Sequence, residues 1–154
     1  MKNKTFFIFG LALLFIVGMY LFMPTKTNRR FTEASNLNSQ YTIEQYRYNF
    51  INNQSDSIKL LLNQIEAKIS DANDSLSAVS ALTAGIEEYT RLQAPEIASL
   101  LIFKKADYIK NTNSWELTGN NFLSLLSDPR LDTHLVNDVS KHAIQSFEKS
   151  IALD

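Results

Sequence analysis

The hydrophobic pattern divides the chain into three parts. Residues Thr5 to Met23 read TFFIFGLALLFIVGMYLFM without one charge, between Lys2 and Lys4 before and Lys26, Arg29 and Arg30 after. At about 1.5 Å per helical residue, this run approaches the roughly 30 Å of a bilayer core. It is longer than the apolar region of a cleaved signal, and its exit, Tyr20-Leu21-Phe22-Met23-Pro24, lacks the small residues of a cleavage site. The pattern predicts a short tail over 1–4 and a retained single-pass transmembrane anchor over 5–23. Basic residues nearly balance across the run, so charge asymmetry decides little. A short start with two Lys and its own amine favours a cytoplasmic N-terminus and a domain on the far side. Residues 24–40 are rich in Thr, Asn and Ser without apolar periodicity, and read as a polar juxtamembrane spacer.

From residue 41 onward the apolar positions recur at helical spacing. Tyr41 to Phe50 carries Ile43, Tyr46, Tyr48 and Phe50, which fits a helix although a period of two also fits. Ser55 or Asp56 caps a helix with Ile58, Leu61, Leu62, Ile65 and Ile69 on one face. Asp74 starts another, through Leu76, Val79, Leu82 and Ile86 to about Leu92. Ala94-Pro95 interrupts the chain, and Pro95 suits the first turn of a helix holding Ile97, Leu100, Leu101, Phe103, Ala106 and Ile109. Asn113 or Ser114 caps a helix from Trp115 to near Leu126. Ser127-Asp128-Pro129-Arg130 is a turn. Asp132 or Thr133 opens the last helix, with Leu135, Val139, Ala143, Phe147 and Ile151 spaced by four. The predicted fold class is all-α, with 41–154 folding as antiparallel helical hairpins behind the N-terminal anchor.

Composition narrows the chemistry. Fifteen Lys and Arg against 16 Asp and Glu leave a net charge of −1, which excludes the broad basic surface of a nucleic-acid binder. The absence of Cys removes disulfides, thiolate zinc sites, cysteine nucleophiles and a lipid-modified N-terminus. Only 4 Gly and 3 Pro disfavour phosphate loops and turn-rich β architectures. The mean hydropathy of −0.14 includes the apolar run, so the remainder reads as water-soluble. No Cys with abundant Asn, Ile and Lys fits an AT-rich bacterium, and the expected place is its inner membrane with the helical domain on the periplasmic side.

Trp115, Gly119 and Phe122, followed by Ala143 and Phe147 in the next helix, carry a repeat signature. They resemble the two helices of a tetratricopeptide repeat, and the ending Phe147-Glu148-Lys149-Ser150-Ile151-Ala152-Leu153-Asp154 resembles its second helix. A weaker match precedes it, in Leu82 and Tyr89, then Ala98 and Phe103-Lys104-Lys105-Ala106. Departures are visible. Leu117 lies one place before the usual Leu, Thr118 takes that place, Ser150 stands for a second Ala, and the connection over Leu123 to Asn137 is longer than the family's. The resemblance implies a short α-solenoid whose first helices bind extended peptides, with Asn120 at the family's peptide-contacting amide and Asn121 beside it. Glu116 stands near where carboxylate-clamping members carry Lys, which argues against capture of C-terminal tails. A solenoid usually needs about three repeats. The helix over 55–70 then serves as a cap, the protein self-associates, or the chain continues past Asp154.

Other constellations are weaker. His134, Asp138 and His142 fall at i, i+4 and i+8, so adjacent pairs suit a shared metal, but the outer two lie about 12 Å apart along the axis. No HExxH-like base accompanies them, and both His read as solvent-facing. Glu87-Glu88 reads as surface charge, and no G-x-S-x-G elbow is present. Phe103-Lys104-Lys105 with Lys110 is a basic cluster of the size of an acidic-peptide rim. The expected function is a membrane-anchored, non-catalytic scaffold for protein or peptide partners, without metal or cofactor. The alternatives are a self-associating membrane protein with Ile58–Ile69 as its seam, or a metal-binding or enzymatic domain on His134, Asp138 and His142.

Overall fold

Local capping chemistry places the helix starts. The computed structural model describes residues 41–154, so the expected anchor over 5–23 and spacer over 24–40 lie outside the described residues. Those residues form six α-helices: α1 (Ile43–Asn52), α2 (Asp56–Ser70), α3 (Ser75–Arg91), α4 (Pro95–Ile109), α5 (Thr112–Ser127) and α6 (Val136–Ile151). Among the described residues there is no strand, and no helix is long and apolar enough to cross a membrane. Thr42 and Gln45 close a reciprocal capping box on α1, with bonds of 3.2 and 3.1 Å. Asp74 accepts from the amides of Leu76 and Ser77 at 2.9 and 2.8 Å to start α3, and Pro95 is the first residue of α4.

Two boundaries differ from the sequence expectation. The cap of α5 is Asn111, which accepts from the Ser114 amide at 2.7 Å, rather than Asn113 or Ser114. Lys110 adopts a left-handed conformation (φ 52°) that ends α4 abruptly, so the chain re-enters a helix almost at once. The last helix is preceded by a 3₁₀ turn, Thr133–Leu135, capped by Asp132 through the His134 amide at 2.9 Å. α6 proper therefore begins at Val136.

Two hairpins, α3/α4 and α5/α6, form the body of the fold. In the second, the Ser150 hydroxyl donates to the Thr112 carbonyl at 3.2 Å, tying the end of α6 to the start of α5 and making the pair antiparallel. Each hairpin closes over a glycine on its first helix. A Cβ on Gly119 would lie 2.7–2.9 Å from the Phe147 ring, and a Cβ on Gly85 would lie 2.8 Å from Leu101 Cδ1. Gly85 and Gly119 are 34 residues apart in the chain, the length of one tetratricopeptide repeat. Gly85 escaped the sequence reading because Leu101 replaces the aromatic residue above it and Ala81 stands one period before Trp115.

These contacts give a prediction. Ala is the better helix former by about 1 kcal/mol, but Gly119→Ala is expected to lower stability by about 1–3 kcal/mol because three atoms of the Phe147 ring lie within 3 Å of the new Cβ and the ring must shift as a whole. Gly85→Ala is expected to cost less, since only Leu101 Cδ1 lies within 3 Å of the new Cβ. Thermal unfolding of both variants checks the order, and a more stable Gly119→Ala would refute the close packing.

α2 packs on α3 as a cap, with Leu62 and Ile65 buried and Ile58 and Ile69 against the same core as Leu82, Tyr89, Ile97 and Leu101. Of the stripe proposed as a self-association seam, Ile58, Leu62, Ile65 and Ile69 thus face the interior of their own chain, and Leu61 is exposed. α1 does not pack only on its neighbour in the chain. It lies on α2 and α4, and Ile43 enters a second core with Leu100, Phe122, Leu125, Leu135, Val139 and Ala143. The Ile43 amide donates to Asp138 Oδ2 at 2.9 Å, so a side chain of α6 caps α1.

Candidate functional site

α5 has two faces. Its inner face carries Trp115, Thr118, Gly119, Phe122 and Leu125, all buried. Phe103 of α4 stands edge-on to Trp115 at 5.2 Å between centroids, to Phe122 at 6.3 Å and to His142 at 4.9 Å. The Lys149 ammonium lies 4.1 Å from the Trp115 centroid and 2.6 Å from Asp107 Oδ1, so it closes this aromatic cluster with a cation–π contact and an ion pair. Ala143 is buried in the adjoining core. Trp115, Gly119, Phe122, Ala143 and Phe147 are therefore brought together as the packing surface of the α5/α6 hairpin.

The outer face carries the candidate partner-binding residues. Glu116, Leu117, Asn120 and Leu123 are exposed, Leu117 at 60 % and Leu123 at 45 %. This is a narrow ridge in which an amide and a carboxylate sit among large apolar side chains. Asn121 does not join it. Its Nδ2 donates to the Ser99 hydroxyl of α4 at 3.1 Å, and that hydroxyl donates to the Pro95 carbonyl at 2.7 Å, so Asn121 is a half-buried tie between helices. The difference from Asn120 follows from one helical step of about 100°, which turns Asn121 toward α4.

His134 stands apart from the other two, while His142 Nδ1 lies 3.8 Å from Asp138 Oδ1. His134 is exposed and meets Tyr41 edge-on at 6.4 Å. Asp138 holds the start of α1. His142 is not solvent-facing as expected, because it stacks on Phe122 at 5.3 Å and meets Phe103 from the side. Its Nδ1 lies 2.8 Å from the Asp138 carbonyl, which only accepts, so Nδ1 carries the proton. Among the described residues no group of three or more His, Cys, Asp or Glu side chains is placed to hold a metal.

The basic cluster is divided as well. Phe103 belongs to the core, Lys104 pairs with Glu44 at 2.6 Å, and Lys104 and Lys110 border a groove of about 630 Å³ with Ile69, Leu82, Asp107 and Tyr108. Glu88 is paired with Arg91, while Glu87 is exposed. A chain of polar contacts crosses four helices. The Tyr89 hydroxyl donates to Glu66 at 2.9 Å, Arg47 lies 3.2 Å from Glu66 and 2.7 Å from Glu44, and Glu44 continues to Lys104. Burial, then the Glu66 charge, pushes the Tyr89 hydroxyl far above the ordinary phenol range, so it stays a donor.

At the opposite end of α4, burial raises the Glu96 carboxyl above its ordinary value, and the charges of Asp128 and Asp132 add to this while Arg130 opposes it. Asp128 is held down to about 2 by its hydrogen bonds from Arg130. A carboxyl raised in the folded state favours folding while protonated, and that contribution is lost as pH rises through the raised value. Glu96→Gln is therefore expected to raise the thermal midpoint at neutral pH, with the gain vanishing in acid. Melting curves across pH check this, and a gain that persisted unchanged in acid would count against it. Against this geometry, no family model, curated protein or solved structure matches the chain.

Proposed function

We propose that the helical domain is a non-catalytic protein-binding scaffold of short tetratricopeptide-like type, carried at a membrane by the apolar segment 5–23. The observation that carries this reading is the α5 ridge. Leu117 and Leu123 stand exposed beside Asn120 and Glu116 on a helix whose other face is locked by Trp115, Gly119 and Phe122. An apolar and amide-bearing ridge on a rigid support suits an extended segment of a partner protein, since the amide donates to and accepts from a peptide backbone. The two glycine contacts one repeat length apart support the repeat type. Confinement to the membrane surface raises the effective concentration toward partners held there. The place proposed for it is a bacterial inner membrane with the domain on the periplasmic side.

Co-purification of the full-length protein from native membranes, with an Asn120→Arg variant in parallel, tests the reading. Asn120 is exposed, so the variant is expected to fold unchanged and to hold its partner about tenfold more weakly or worse, the equivalent of about 1.4 kcal/mol. Recovery of the same partner at the same level from both would remove the ridge from the interface. Recovery of self copies alone would argue for a structural role instead.

A further inference from the structure

We propose that α6 carries a separate interface, an antiparallel two-fold contact with α6 of a second copy of this chain, centred on Ile144. The inference rests on a different helix from the α5 ridge and stands whether or not that ridge binds a partner. The inner side of α6 is occupied, with Val139, Ala143, Ser146 and Ser150 buried. Its outer side presents Asn137, Lys141, Ile144, Glu148 and Ile151, every one exposed. Their spacing alternates four and three residues, which keeps a stripe facing a partner helix crossing at about 20°. Ile144 is 59 % and Ile151 76 % exposed.

Charge selects the occupant. Lys141 and Glu148 flank Ile144 and stand about 10.5 Å apart along the axis, too far to pair within the helix. Among the described residues neither has an ion-pair partner, as is also true of Lys59, Lys68, Lys105 and Lys110, but only this pair flanks an exposed isoleucine of α6 with opposite charges. A two-fold axis near Ile144 sets Lys141 of each copy against Glu148 of the other, two ion pairs from one motif. It also lays Ile151 over Asn137 of the other copy, beside the half-buried Val136. A parallel pairing would oppose Lys to Lys and Glu to Glu. The stripe is thus complementary to itself in one orientation. One helix pair buries less than the roughly 1,200 Å² of a stable standard interface, so the contact is a weak one that a shared membrane surface strengthens.

The chain contains no Cys, so introduced thiols report on the contact without background. In the full-length protein, oxidised with copper phenanthroline, Ile144→Cys is expected to form a disulfide-linked dimer. Lys141→Cys and Glu148→Cys are expected to stay largely monomeric when each is expressed alone and to link when the two are mixed. Tyr108→Cys, exposed on α4, serves as the collision control. Adding Glu148→Lys to Ile144→Cys is expected to cut the dimer about tenfold. Reversing both charges, with Lys141→Glu and Glu148→Lys together, is expected to restore it. All these positions are exposed, and a common thermal midpoint confirms that each variant folds. The proposal is overturned if Ile144→Cys links no better than Tyr108→Cys, if Lys141→Cys and Glu148→Cys link only to themselves, or if the double reversal fails to rescue.

Discussion

Trp115→Ala is expected to cost about 3–5 kcal/mol, the largest loss from any single truncation in the described helices. Trp115 is 2 % exposed and is the chain's only tryptophan. Its ring meets Phe103 edge-on and lies beneath the Lys149 ammonium, so truncation empties a large volume and removes an aromatic pair and a cation–π contact together. Collapse into the cavity is hindered, because Phe103 is held by Phe122 and His142 on its other sides. Trp115→Phe is expected to retain much of the stability by keeping an aromatic ring in contact with Phe103. Urea unfolding followed by far-ultraviolet circular dichroism measures both, and an unchanged midpoint for the Ala variant would remove Trp115 from the core.

Ile43→Ala is expected to cost about 2–5 kcal/mol and to release α1 from the body of the domain. Ile43 is fully buried, and it is the only fully buried residue of α1. A helix of 10 residues does not hold itself in water, so α1 persists by docking rather than by propensity. Its remaining ties are the partly buried Tyr46, Phe50 and Ile51, with Phe50 6.1 Å from the Tyr89 ring, and the polar contacts of the Asp138 cap, the pair of Arg47 with Glu66 and the pair of Glu44 with Lys104. Asp138→Ala is expected to cost about 1 kcal/mol by removing the cap. Because Ile43 carries the amide that Asp138 accepts, the double variant is expected to lose less than the sum of the two. Amide hydrogen exchange in α1 separates undocking from global unfolding. If α1 stays as protected as α4 in Ile43→Ala, the docking role assigned to Ile43 fails.

The same residues show what can be read locally. The helical period placed Leu62, Ile65, Leu82, Ile97, Leu101, Phe122, Leu135, Val139 and Ala143 toward a core, and these are buried, whereas Leu61, Leu76, Ile109 and Ile151, read on the same stripes, are exposed. Asp74 and Pro95 marked helix starts because capping and a preset φ act within a few residues. The cap at Asn111 was missed because it depends on the left-handed turn at Lys110, for which the local sequence carries no strong signal. Asn120 and Asn121 are chemically identical neighbours, and only the position of Ser99 on another helix tells the exposed amide from the tied one. His142 read as a surface residue because nothing near it in the chain announces Phe103, which lies in a different hairpin.

The sequence by itself determined the helical class, most boundaries and most of the inward-facing positions, since each depends on contacts between residues three or four positions apart. Tertiary structure alone decided that Gly85 sits under Leu101, that α1 places Ile43 in the core shared with α6, and that Asp138 caps α1. These are pairings between faces brought together from distant parts of the chain. No local period encodes them, because the free energy that selects them comes from which surfaces bury one another and not from how either surface is written.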